Sequence, residues 1–235
     1  MRFKLHNCES MENIDNFLKR HGITDFSLRK DADITVLDID DRGLAQKQRA
    51  ALQLHFNFYD IFVWSEQGVE NIALWEQPAR VVDMVEAMRR FFPIGYAEAL
   101  ATVEAKGFLI GGAAGYATFK PLYTVRKYKP LFAGLPGWRK RYTTWNGQEE
   151  EFYLFAPGPG EGKRLLLIDD VLETGNSLAA AVDLLAEAGA EVVGAFYLID
   201  AATPEVRGQF KFPIRSLLRY HDLFGNQPIE IEQLS

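Results

Sequence analysis

Residues 165–178 read LLLIDDVLETGNSL, and this stretch decides the fold. Four apolar residues, Leu165, Leu166, Leu167 and Ile168, run into the adjacent carboxylates Asp169 and Asp170. A continuous apolar run marks a strand buried on both faces of a parallel sheet. Thr174, Gly175, Asn176 and Ser177 then open an Ala/Leu-rich helical stretch. Free N–H groups at the positive end of such a helix favour a phosphate. Paired acids at a strand's C-terminal tip lie where open α/β sheets take their ligands. Carboxylates repel phosphate itself, so the combination suits a ligand with hydroxyls beside its phosphate, as in a ribose 5-phosphate.

Outward from this run the chain alternates. Residues 99–103, 122–126, 164–168, 192–198 and 214–217 read as strands, and 107–117 and 177–189 as helices. Strands alternating with helices imply a parallel sheet with right-handed crossovers. In RYTTWNGQEEEFYLF, Asn146-Gly147 between two β-prone runs is a hairpin signal. Residues 127–155 are therefore expected to form a loop and a projecting hairpin over the site. The first 78 residues read as a small α/β appendage, and 79–235 as the main domain. In the appendage Ser10 is an expected N-cap, Met11, Ile14, Phe17 and Leu18 a helical face, and Gly22 its stop. Residues 34–39, 59–64 and 71–75 are expected strands and 44–55 a helix. Pro78 starts a helix striped by Val81, Val82, Val85, Met88 and Phe92.

Bulk properties exclude several classes. A net charge of −6 in 235 residues argues against a general nucleic-acid or anionic-membrane binder. The first 78 residues carry 9 Lys/Arg and 13 Asp/Glu, which disfavours a DNA-binding unit there. Cys8 is the sole cysteine, so no intrachain disulfide forms and a reducing, cytoplasmic compartment is expected. No apolar run approaches the roughly 18 residues of a membrane span. The segment MRFKLHNCESMENIDNF has no h-region and is not read as a signal peptide. His6, His21, His55 and His221 are scattered, without zinc-ligand spacing. Asp38 and Asp40 in ITVLDIDD read as solvated acids at a strand end. Between Glu104 and Glu149 no acid occurs, while Lys106, Lys120, Arg126, Lys127, Lys129, Arg139, Lys140 and Arg141 do. Such an interval is a local electropositive patch suited to a polyanion.

The run LLLIDDVLETGNSL resembles the motif of type I phosphoribosyltransferases that binds 5-phosphoribosyl 1-diphosphate (PRPP): four hydrophobic residues, two acids, a spacer, then Thr-Gly-x-Thr/Ser. TVEAKGFLIGGAAGYA at 102–117 and YTVRKYKP at 123–130 are similar to segments of the adenine branch, in the same order. The resemblance covers roughly residues 80–220. It implies an α/β fold with a mostly parallel sheet flanked by helices, a hairpin lid and the small N-terminal α/β appendage. It implies a phosphoribosyltransferase that moves ribose 5-phosphate from PRPP to a nucleobase, a purine favoured, with Mg and release of pyrophosphate. A homodimer is expected. The alternative is a non-catalytic PRPP-sensing regulator on the same fold.

By that resemblance Asp169 and Asp170 contact the ribose hydroxyls and orient Mg, indirectly. Thr174, Gly175, Asn176 and Ser177 wrap the 5-phosphate. Glu104, Ala105, Lys106 and Gly107 form the pyrophosphate loop, joined by Arg126, Lys127 and Lys129. Three departures stand out. Lys106 replaces the usual Arg and loses bidentate geometry. Glu173 stands where the adenine enzymes have a small residue and the hypoxanthine-guanine enzymes an Asp; it is either the acid/base near the base or a residue facing solvent at the helix entrance, and Glu149, Glu150 and Glu151 are the fallback. If Tyr142 aligns with the first Tyr and Gly147 with the Gly of the adenine branch's Tyr-x-Leu-Glu-Tyr-Gly, Trp145 takes the place of its catalytic Glu, which leaves a xanthine-type, orotate-type or unassigned base open.

Overall fold

The computed structural model describes residues 1–5, 11–20, 22–32, 34–45, 48, 49, 52, 56, 58, 63–65, 68–91 and 94–219. The contacts divide the chain into two units, Met1–Ala87 with Leu217–Ser235, and Met88–Ser216.

In the first unit β1 (Arg2–Leu5), β2 (Phe26–Asp31) and β3 (Ile34–Ile39) form an antiparallel sheet in the order β1-β3-β2. Helix α1 (Met11–Arg20) contributes Ile14, Phe17 and Leu18 to a core with Phe3, Leu5, Leu37 and Ile39. Met11, expected on the same face, is 42% exposed. Gly22, at φ +71°, ends the helix: its N–H donates to Lys19 O and that of Ile23 to Leu18 O. This is a Schellman stop, which needs the left-handed residue there. The expected N-cap at Ser10 lies outside the described residues, as do most of the 44–55 helix and residues 59–62 of the 59–64 strand. Strands β4 (Val63–Ser65) and β5 (Gly68–Glu70) pair antiparallel.

The expected strand at 71–75 is instead a helix, α2 (Ile72–Trp75). Four apolar residues carry no period that separates strand from helix. Asn71 decides the matter locally, its carbonyl accepting from Leu74 N–H and its side chain from Trp75 Nε1 at 3.2 Å. Helix α3 (Pro78–Phe91) starts at the expected proline. Its buried face is Met84, Val85, Ala87 and Met88, whereas Val82 is 61% exposed; Phe92 lies outside the described residues. The division of contacts falls inside this helix, whereas the sequence suggests a boundary at its first residue.

The second unit holds β6 (Ala99–Val103), α4 (Gly107–Thr118), β7 (Leu122–Lys127), β8 (Gly137–Thr143), β9 (Glu149–Phe155), β10 (Arg164–Leu172), α5 (Asn176–Glu187), β11 (Glu191–Asp200) and α6 (Pro204–Arg207), and runs into β12 (Ile214–Arg219). The seven-stranded order is β12-β11-β10-β6-β7-β9-β8. Strands β11, β10, β6 and β7 pair in parallel. All five residues of β6, and Leu165 to Ile168 of β10, are buried, as central parallel strands require.

The hairpin β8–β9 does not project freely. It extends the sheet: β9 pairs antiparallel with β7 at Arg126↔Tyr153 and Lys127↔Phe152. Phe152, Tyr153 and Leu154 are buried, and Tyr142 stacks on Phe152 at 4.1 Å. Trp138 and Tyr142 alternate on β8, and the consecutive Phe152, Tyr153 and Leu154 give β9 apolar side chains on both faces, while the open edge of β7 offers unpaired N–H and C=O groups.

Candidate active site

Strand β10 creates the opening. It pairs with β6 only as far as Ile168 but with β11 as far as Leu172. The sheet therefore parts at Asp169, and the two acids line the gap. The Asp170 N–H donates to Asp169 Oδ1 at 3.0 Å, and Lys106 Nζ lies 3.9 Å from Asp170 Oδ2. Burial pushes the Asp169 carboxyl well above the usual carboxylate range, and the Asp170 charge adds to it. Burial also raises Asp170, against the pull of Lys106. Ionised, the pair is costly until a cation or hydroxyl donors reach it. That donor set fits a magnesium ion bound together with a hydroxyl-bearing ligand.

Gly107, the first residue of α4, makes room for this arrangement. A Cβ there would stand 2.7 Å from Asp169 Oδ1 and 2.8 Å from Thr102 Oγ1. Thr102 is fully buried, and its hydroxyl has no hydrogen-bond partner. Ahead of Gly107 the Glu104–Ala105 peptide is cis. The Glu104 carboxylate accepts from Arg126 Nε at 3.3 Å, Lys127 N–H at 3.1 Å and Lys129 Nζ at 3.2 Å. Burial pushes Glu104 up, but Lys129 and Arg126 outweigh it and hold the carboxyl below its ordinary value.

The phosphate loop follows β10. Gly175 sits at φ +78°, and a Cβ there would come 2.8 Å from Val206 Cγ1, so both backbone and space call for glycine. Asn176 then begins α5, its N–H facing Thr174 Oγ1 at 3.4 Å. Thr174 and Asn176 are exposed and Ser177 half-buried. Glu173, between the acid pair and the glycine turn in sequence, is exposed, which is the solvent-facing arrangement the sequence left open.

The hairpin closes one side. Lys127 Nζ meets Glu150 Oε2 at 2.9 Å, and the Tyr142 hydroxyl donates to the same carboxylate at 2.6 Å. Burial holds the Tyr142 hydroxyl far above its ordinary value, and Glu150 and the Asp169 charge act in the same direction. Asn176 Nδ2 donates to the Thr143 carbonyl at 2.9 Å, tying hairpin to phosphate loop.

The structure thus brings Asp169, Asp170 and Lys106 together, and Glu104 with Arg126, Lys127 and Lys129. The basic interval is not one patch. Lys120 donates to Ala97 O, Lys140 pairs with Asp183 and Glu187, Arg139 covers Tyr128, and Arg141 faces Glu151. Sequence reasoning missed Thr102 and gave Glu150 no priority over its neighbours. The strand period could have singled out Glu150, because it pairs with Tyr142 while Glu149 and Glu151 face Thr143 and Arg141. Among the described residues no helix is long and apolar enough to cross a membrane, and no three His, Cys, Asp or Glu side chains gather to hold a metal.

Residues 139–214 match the phosphoribosyl transferase domain family. The adenine phosphoribosyltransferase of Kineococcus radiotolerans is 34% identical over 158 residues, 66% of this chain and 84% of the relative. That of Methylobacterium nodulans is 36% identical over 129 residues, 54% of this chain and 67% of the relative. The same fold occurs in the crystal structure of the Rhodothermus marinus adenine phosphoribosyltransferase, with a TM-score of 0.61 at 21% identity, covering 73% of this chain and 99% of that one. It occurs also in the Trypanosoma brucei enzyme, solved with AMP, pyrophosphate and ribose-5-phosphate, with a TM-score of 0.61 at 16% identity over 88% and 93% of the two chains.

Proposed function

The chain belongs to the type I phosphoribosyltransferase family, nearest its adenine branch, and from that premise we propose that it transfers the ribose 5-phosphate group of PRPP to a purine base. The C1–O bond to pyrophosphate breaks, a C1–N bond to the base forms, and the base gives up a proton. The observation that carries this reading is the half-buried pair Asp169 and Asp170 just ahead of the Gly175–Ser177 turn. Two acids raised by burial suit ribose hydroxyls and favour positive charge developing at C1. Thr174, Gly175, Asn176 and Ser177 hold the 5-phosphate with N–H and hydroxyl donors. Lys106, Arg126, Lys127 and Lys129 hold the pyrophosphate, with Glu104 positioning Arg126 and Lys129 and with Ala105 and Gly107 completing the loop. Magnesium, held indirectly through Asp169 and Asp170, screens the pyrophosphate charge when bound. Glu173 takes or returns the proton of the base. Because Trp145, 56% exposed, stands where the adenine branch has its Glu, the base is proposed as a purine and not as adenine specifically.

The cytoplasm is the proposed compartment, in keeping with a single cysteine. A homodimer is proposed because Leu109, Tyr116 and Phe119, 54%, 85% and 93% exposed, form one stripe along and just beyond α4.

Calorimetry with Mg and PRPP tests the reading. Asp169→Asn with Asp170→Asn should lose about 1.5–3 kcal/mol for each charge-assisted bond and abolish transfer. Equal PRPP affinity in the double variant would sink the assignment.

A further inference from the structure

The cations assigned to pyrophosphate are already engaged by carboxylates of the protein. Lys127 is held by Glu150, and Arg126 and Lys129 by Glu104. Glu150 is not an incidental surface partner. Its cross-strand neighbour Tyr142 is 9% exposed and donates to the same oxygen that meets Lys127, and the next residue, Thr143, accepts from Asn176 of the phosphate loop through its carbonyl. The ion pair remains open to solvent, with Lys127 46% and Glu150 27% exposed, so an incoming anion can reach it.

We propose that Glu150 is a built-in competitor of pyrophosphate: it occupies the Lys127 ammonium while the anion site is empty and gives it up when the pyrophosphate group arrives. The geometry that supports this is the convergence of Lys127, Tyr142 and Glu150 on one oxygen, on the hairpin edge that β9 shares with β7. The Lys127 ammonium keeps an anionic partner throughout, while Glu150 stays on β9 beside the incoming anion with its charge no longer paired by Lys127. The exchange also couples ligand to hairpin. Losing Lys127 leaves Glu150 with Tyr142 alone, so arrival of pyrophosphate loosens the link between β7 and the hairpin beyond its two paired residues. The inference rests on the reading that Lys127 binds pyrophosphate.

The test is calorimetry of inorganic pyrophosphate with Mg on the full chain, in wild type, Glu150→Gln, Lys127→Met and the double variant. Glu151→Gln is the control, since Glu151 faces Arg141 on the opposite side of β9. A half-exposed ion pair shifts an equilibrium modestly, so Glu150→Gln should tighten pyrophosphate binding about twofold to fivefold. Glu151→Gln should leave it unchanged. Lys127→Met should weaken binding, and in that background Glu150→Gln should no longer tighten it. If Glu150→Gln binds pyrophosphate equally or more weakly while Lys127→Met still loses affinity, the competitor role is wrong and the pyrophosphate assignment survives. If Lys127→Met binds as wild type does, both fall together. Equal tightening by Glu151→Gln would reduce the effect to general charge and overturn the specific pairing.

Discussion

Four carboxylates line the site, two on β10, one just past β6 and one on β9, and their surroundings sort them into opposite pairs. Asp169 and Asp170, at the tip of β10, are raised by burial, which also forces two like charges together. Glu104 and Glu150, toward the sheet edge, lie lower than ordinary because Lys129, Arg126, Tyr142 and Lys127 outweigh their burial. Residues of one chemical type therefore do two jobs within one site. The first pair stores an unmet demand for hydroxyl donors or a cation. The second keeps cations in place until an anion claims them. A ligand with a diol at one end and a diphosphate at the other satisfies both pairs at once.

Glu173 is a fifth acid outside both pairs, and among the single substitutions its variant has the largest expected effect. Glu173→Gln should lower turnover by about 10²–10⁴-fold with PRPP affinity nearly intact, because a carboxamide keeps the shape but takes no proton. Wild-type turnover would remove it as the base and leave the lid acids.

Neutralising Lys106 and Arg126 sharpens the contrast between the pairs. Each lost charge-assisted bond should cost about 1.5–3 kcal/mol of pyrophosphate or PRPP binding, while a nucleoside monophosphate, lacking that group, should bind nearly as before. A uniform loss for both ligands would tie these residues to the fold or the 5-phosphate end.

Gly107→Ala attacks the acid pair from the pyrophosphate loop. The new methyl must displace Asp169 Oδ1 or the buried Thr102. Overpacking of this kind should cost about 1–3 kcal/mol, read as weaker PRPP binding and a lower melting temperature. Unchanged PRPP affinity would show that the acid does not need its seat beneath α4.

The smallest effect runs the other way. A carboxyl whose folded pKa is raised contributes stability that is lost as pH rises through that value, so ionising Asp169 works against the fold. Asp169→Asn should therefore melt about 2–4 °C higher than wild type at pH 8. The gain should fade toward about pH 4, where the unfolded carboxyl also takes up its proton. No gain at pH 8 would mean that the pair is already compensated without ligand.

The strand-turn-helix at 165–178 was legible because every determinant is local: an apolar run, two acids, a glycine turn and an Ala/Leu helix in consecutive residues. The hairpin strands were legible for the same reason, from Asn146-Gly147. Their attachment to β7 was not, because it depends on which strand edge the fold leaves open. Four residues of helix at 72–75 escaped because so short an apolar run has no period. In the site, residue types and loop positions could be read, but the exchange between partners could not. Nothing in the sequence says that Glu104 holds Arg126 and Lys129 across a 22-residue and a 25-residue separation. Nor does any local pattern announce that Gly107 clears space for Asp169.

The most direct measurement is pyrophosphate release by the purified protein with PRPP and Mg, screened over a panel of nucleobases and repeated with Asp169→Asn/Asp170→Asn. Release that requires both a purine and the intact acid pair is the predicted result. PRPP binding without release for any base, or release that persists in the double variant, would contradict the assignment of this opening as a phosphoribosyl-transfer site.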